Sequence, residues 1–175
     1  MDQGIASFGY SILSIEKNCV DLLEYGCFKS KSSGNQQKRI FDLINNIEQL
    51  VDIYKPECMV HERLFFSPPA KNSRKKSASI LNTNMITGAI WYISGKYNIP
   101  IVQFSPQTVK KTLCGNGRAE KEDVINYINN KYSVLCSSCK AEHICDAIAI
   151  GLTFVEKINN NEIFNFNEDD IVEEE

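Results

Sequence analysis

Residues 1–15 read MDQGIASFGYSILSI, and the order of residue types in this stretch decides how the rest of the chain is read. An acid at position 2 and then Gln3-Gly4 lead into Phe8 to Ile15, which is rich in aromatic and β-branched side chains. That is the pattern of one buried strand ending and a second beginning. Only Met1 stands before the acid. Working outward, CVDLLEYGCFKS (residues 19–30) reads as the next strand, reached through Glu16, Lys17 and Asn18, so the two form part of an antiparallel meander. Ser32, Ser33, Gly34 and Asn35 make a turn-rich link. Ile40, Phe41, Leu43, Ile44, Ile47, Leu50, Val51 and Tyr54 then recur at helical spacing, and Lys55-Pro56 ends the helix.

Cys58 to Glu62 (CMVHE) is a short strand, followed by a loop with two prolines. A long helix carries Ile80, Leu81, Met85, Ile86, Ala89, Ile90 and Ile93, with Ser77 or Ser79 as its cap, and Gly95 and Asn98-Ile99-Pro100 close it. IPIVQF is a strand; Ser105-Pro106 opens a helix with its N-cap and a proline at the first position. Gly115-Asn116-Gly117 breaks that helix, Glu120 to Lys131 is a further amphipathic one, and HICDAIAIGLTFVEKI is a well-packed terminal helix. Counting a strand that ends at Asp2, the order is β-β-β-α-β-α-β-α-α-α. A meander followed by alternating strands and helices predicts an α/β sheet with mixed strand directions.

The chain has 175 residues, 43% hydrophobic and 23% charged, which fits one soluble domain with a substantial core. No apolar run is long enough to span a bilayer and no basic start leads into an apolar signal region, so the expectation is a cytoplasmic protein with no membrane partner. In that compartment the seven cysteines are expected to be thiols. The net charge of −3 is misleading, because EDDIVEEE at the end holds six acids; without them the body is at +3. The expected division is a domain over residues 1–158 and an acidic, solvated tail over 159–175. KNSRKK, with Lys71, Arg74, Lys75 and Lys76, is the sharpest basic cluster and reads as a surface loop.

Chemistry-bearing residues fall at the ends of buried elements. Asp2 lies at the tip of the first strand, Glu62 closes CMVHE, and His143 and Asp146 sit three apart on one side of the last helix. Carboxylates gathered without matching cations repel one another. Divalent cations relieve that repulsion, and hard oxygen donors suit Mg²⁺ or Mn²⁺. Two such ions can activate a water and stabilise the leaving oxygen of a phosphodiester. Each residue also has a plain alternative: a solvated terminus for Asp2, a strand-end surface residue for Glu62, a satisfied core or surface histidine for His143. Asp146, among Ile144, Ala147, Ile148 and Ile150, is harder to dismiss, because an unpaired carboxylate on an apolar face is costly.

These segments together resemble the RuvC family of Holliday junction resolvases, nucleases of the ribonuclease-H-like fold. The resemblance runs from DQGIASFGYSI through VHERLFF and SPQTVKKTLCGNGRAEKEDV to HICDAIAIG. It implies an α/β ribonuclease-H-like domain with a mixed five-stranded central sheet flanked by helices. It implies a catalytic, metal-holding set of Asp2, Glu62, His143 and Asp146, serving two Mg²⁺ ions, with Mn²⁺ as a substitute. It also implies that Phe65 stacks on bases near the junction centre, with Phe66 able to share that role. Lys110 and Lys121 would approach the scissile phosphate, with Lys111 and Arg118 as neighbours. KNSRKK then becomes an extension of a loop that junction DNA passes.

The activity implied is hydrolysis of a four-way junction by paired symmetric nicks, leaving a 5′-phosphate and a 3′-hydroxyl. A homodimer follows, with the helix from Ser77 to Tyr97 as its surface, and RuvA and RuvB are the implied partners. Two other functions stay open: a broader branched-DNA nuclease of viral type, and a junction-binding protein that does not cut. The family also carries several apolar residues before its first Asp, as a central strand, so the expectation is a first strand truncated here. A rival use of His143 is zinc binding with Cys136, Cys139 and Cys145.

Overall fold

The computed structural model describes residues 1–16, 19–31, 35–63, 74–132 and 142–160, with the backbone alone for 74–80. Nine elements follow one another: β1 (Ser7–Glu16), β2 (Cys19–Lys29), α1 (Gln36–Tyr54), β3 (Met59–Glu62), α2 (Arg74–Tyr97), β4 (Ile101–Phe104), α3 (Pro106–Cys114), α4 (Lys121–Tyr132) and α5 (Glu142–Asn159). Their boundaries have local causes. Asn35 caps α1 by accepting from the Gln37 amide, and Lys55 ends it in the left-handed region just before Pro56. Ser105 caps α3 with Pro106 in its first turn. α2 begins at Arg74, so Ser77 and Ser79 lie inside it and neither is its cap. The Arg74–Lys76 part of the basic cluster is helix, not loop, because Arg and Lys are good helix formers with no breaker among them.

Among the described residues the strands do not form one five-stranded sheet. β1 and β2 pair antiparallel from Ser7↔Lys29 to Glu16↔Cys19, with a register shift between Ile12 and Leu13, and β3 and β4 pair parallel from Met59↔Ile101 to Glu62↔Phe104. Between the two half-sheets, where a fifth strand would run, lies Met1–Gln3. Asp2 donates its amide to Gly9 O (2.9 Å) and accepts from the Gly9 amide (3.0 Å), while the Met1 amine donates to Val60 O (2.8 Å). This segment makes one isolated bridge, with Gly9. Beyond it the half-sheets stand apart around a cavity of about 660 Å³, lined by Ser11, Leu13, Ile47, Val51, Val60 and Phe154 among others.

The strands alternate their side chains between two cores. Phe8, Met59 and Ile101 meet Leu43, Ile47 and Val51 of α1 and Ile86, Ile90 and Ile93 of α2. Val102 and Phe104 meet Val109 and Leu113 of α3, Val124 and Ile128 of α4, and Ile148, Leu152 and Phe154 of α5. Helices thus cover both faces, as the α/β reading requires. No described helix is long and apolar enough to cross a membrane.

Candidate active site

α5 carries two of the expected site residues and is brought to the first strand by close packing. It crosses β1 so tightly that a Cβ on Gly9 would stand 1.9 Å from His143 O, and one on Gly151 2.6 Å from Leu13 Cδ1. Glycine at both positions admits the helix, and Ser11 Oγ donates to Ala147 O at 3.0 Å between them. The packing sets His143 and Asp146 against Asp2, whose own backbone is held by Gly9.

The Asp2 carboxylate hydrogen-bonds Nδ1 of His143. One donor atom each from Asp2, His143 and Asp146 lies within 4.8 Å of the others, close enough to share a cation. Lys121, at the start of α4, bridges Asp146 Oδ2 (3.1 Å) and Glu142 Oε2 (3.4 Å). Glu62, at the end of β3, falls outside that trio of donor atoms but within their electrostatic field. Burial first, and then the Asp2 and Asp146 carboxylates, push the Glu62 carboxyl up to about 7 against the pull of the Met1 ammonium and Lys121. Burial likewise raises Asp146; Lys121 and His143 oppose it and Asp2 adds to it. Burial also holds the Met1 amine down at about 5. Acidic oxygens and one imidazole that resist simultaneous charge are the donor set a hard divalent cation satisfies.

Three residues that sequence reasoning missed tie this site together. Gln3, itself buried, donates through Nε2 to Glu62 O at 2.8 Å and meets Nδ1 of His61. Its Oε1 accepts from Thr87 Oγ1 of α2. One side chain therefore joins the segment bearing Asp2 to the backbone of Glu62. His61 is fully buried, which lowers it to about 4, and its Nε2 has no hydrogen-bond partner among the described residues. A threonine flanked by the buried Ile86 and Ile90 was the available signal for Thr87.

The remaining expected residues fall in several places. Lys110 and Lys111 stand on α3 and Arg118 on its connection to α4, on elements that adjoin α5. Phe65, Phe66 and Lys71 lie outside the described residues, as do the side chains of Arg74, Lys75 and Lys76. The zinc arrangement falls largely outside the described residues: Cys136 and Cys139 are not among them, while Cys145 is fully buried and His143 hydrogen-bonds Asp2. Of the seven cysteines read as thiols, Cys19, Cys27, Cys58 and Cys114 are free.

Comparison with known proteins adds an independent line. The profile of the family described as "Crossover junction endodeoxyribonuclease RuvC" matches residues 1–154. The crossover junction endodeoxyribonuclease RuvC of Synechococcus sp. (strain CC9605) is 27% identical over 153 residues, covering 87% of this chain and 94% of that protein. The solved structure of Thermus thermophilus RuvC aligns at a TM-score of 0.75 and 21% identity, covering 91% of this chain and 93% of that one. T. thermophilus RuvC in complex with a Holliday junction substrate aligns at 0.78 and 20% over the same shares. At these identities the structural likeness establishes the fold, of the ribonuclease-H-like α/β type.

Proposed function

The chain belongs to the RuvC family of crossover junction endodeoxyribonucleases, and from that premise we propose that it is a divalent-metal-dependent endonuclease that resolves four-way DNA junctions by paired symmetric nicks. The observation that carries the metal-dependent chemistry is the convergence of Asp2, His143 and Asp146 donor atoms within 4.8 Å, with a Glu62 carboxyl pushed up to about 7 beside them.

Asp2, Glu62 and Asp146 would hold Mg²⁺ or Mn²⁺, and His143 would either complete the shell or take a proton from the attacking water. When bound, the ions neutralise phosphate charge and lower the pKa of water. The Asp2–His143 hydrogen bond fixes the imidazole and its tautomer. Lys121, anchored by Asp146 and Glu142, would meet the scissile phosphate. Attack on phosphorus leaves a 5′-phosphate and a 3′-hydroxyl. Lys110, Lys111 and Arg118 extend the cationic surface, and Phe65 with the Lys71 to Lys76 cluster completes the DNA contacts.

A four-way junction calls for two active sites, hence a homodimer. α2 supports this by exposing Leu81, Met85, Trp91 and Tyr92. RuvA and RuvB acting in the cytoplasm complete the reading, with recombination and repair as the setting. The test is cleavage of a labelled four-way junction in Mg²⁺ by this chain and by Asp146→Asn. Paired nicks by the first, with binding but no nicking by the second, are expected. Binding in Mg²⁺ without nicking of any branched substrate would instead leave a junction-binding protein that does not cut.

A further inference from the structure

A second concave surface lies at the same end of the β1–β2 sheet as Asp2. It is a cavity of about 360 Å³ between the turn that follows Gln3, the end of β2 and the start of α1. Four cations line it, Lys29, Lys31, Lys38 and Arg39, against one acid, Asp42. No ion pair among the described residues engages any of the four. Arg39 is built in rather than loose: Nε donates to Ser30 Oγ (2.8 Å) and Nη2 to Ile5 O (3.2 Å), and Ser30 Oγ also bonds Ile5 O. The three lysines are exposed around it.

Clustered cations without acidic partners are an electrostatic cost in the free protein and a gain once an anion arrives. Reach identifies that anion. Ile5, the anchor of Arg39, is three residues from Asp2, so the two lie no more than about 11 Å apart along the chain. Phosphates on one DNA strand follow one another at about 3.4 Å of helix axis, so the cavity lies within roughly three steps of the bond being cut. The spacing suits the backbone of the duplex that emerges from the site.

We propose that this cavity is a phosphate track that holds one duplex arm leading away from the cleavage site. The proposal rests on the junction-nuclease reading of the Asp2 cluster. It assigns to Lys29, Lys31, Lys38 and Arg39 a sequence-independent grip, distinct from the cations of α3 and α4.

The experiment compares the full chain with Lys29→Gln/Lys31→Gln/Lys38→Gln, leaving Arg39 in place because it ties Ile5. Binding of a labelled four-way junction is followed by anisotropy without Mg²⁺ over a range of salt, and nicking is measured in Mg²⁺ at saturating junction. Each lost phosphate contact removes about 0.9 from the slope of log affinity against log salt. The triple variant should therefore lose about 2 to 3 from that slope and bind roughly a hundred- to a thousand-fold more weakly at 0.1 M salt, with kcat unchanged. The control Lys55→Gln/Lys131→Gln should match the unaltered chain. Slope and affinity equal to those of the unaltered chain would overturn the inference while the site reading stands, as would a fall in kcat at unchanged affinity. If the unaltered chain neither binds nor nicks junctions, the site reading fails. The track is then judged on plain duplex DNA, where the same loss of slope upholds it and equal slopes overturn it.

Discussion

Replacing Gln3 with Met keeps the length and most of the volume of the side chain while deleting its polar atoms. Three contacts go: Nε2 to Glu62 O, Nε2 to Nδ1 of His61, and Oε1 from Thr87 Oγ1. A net hydrogen bond contributes about 0.5–1.5 kcal/mol, so the gross loss is about 2–4 kcal/mol. Two former partners can donate elsewhere once Gln3 is gone, His61 Nδ1 to Glu62 O at 2.9 Å after a change of tautomer and Thr87 Oγ1 to Thr83 O at 3.1 Å. The net cost therefore falls near the lower end, about 2 kcal/mol, or roughly 4–8 °C in Tm for a chain of this size. Stability is only half of the prediction. Gln3 is also the side chain that couples the Asp2 segment to Glu62, and loss of such a supporting contact typically lowers metal affinity about 10–100-fold. Thermal unfolding with chelator reads the first effect, and calorimetric titration with Mn²⁺ the second. A Gln3→Met protein with unchanged Tm and unchanged Mn²⁺ affinity would refute the claim that this side chain spaces Asp2 from Glu62.

Gly9→Ala places a methyl 1.9 Å from His143 O if nothing moves, so α5 must back away from β1; a fall in Tm of more than about 6 °C is expected, with nicking lost, and a soluble variant that cuts normally would contradict that packing. In metal-free protein Glu62 keeps its proton up to about 7, whereas the unfolded chain releases it near 4.5. The native state then binds more protons between those values, and stability falls as pH rises through that window, by up to about 3 kcal/mol at pH 7 and above. Glu62→Gln should abolish that part of the pH dependence in urea melts with chelator; identical pH profiles for the two proteins would oppose the assignment. Trp91→Ser/Tyr92→Ser removes large exposed apolar groups from α2 and should convert a dimer to a monomer in light scattering, an unchanged mass ruling that face out. An apolar run of about five residues added ahead of Met1 should enter the cavity between the half-sheets and raise Tm by at least about 5 °C. No rise would mean the cavity does not accept a strand.

Much of this arrangement could be read directly because periodicity carries it. The strand Met59–Glu62 and the helix over residues 142–159 announce themselves by apolar pattern, and a spacing of three puts His143 and Asp146 on one side of that helix. Other features depend on contacts that no local window contains. Gln3, beside an acid at the head of the chain, looks like a solvated terminus; it is buried only because β3 and α2 close over it. The register shift between Ile12 and Leu13 has no turn residue to mark it. The start of α2 was misplaced because serines suggested a cap, while the basic residues before them continue the helix equally well. The cations of the second cavity come from the end of β2 and the start of α1, and only the fold makes them neighbours.

The stub at Met1–Gln3 also fixes a mechanical property. β1–β2 and β3–β4 are two leaves, and among the described residues the backbone fastening at their seam is one pair of amide bonds and one amine bond. The leaves carry different candidate ligands, Asp2 on one side and Glu62 on the other, with α5 lying across both like a spine. A cation drawn to both carboxylates would then act as a rivet, resisting the opening of the seam while it serves chemistry. At a hundred times its dissociation constant such a rivet stiffens the fold by about 2.7 kcal/mol. Heat tolerance and metal occupancy should climb together, and the protein stripped of metal should be the more compliant one.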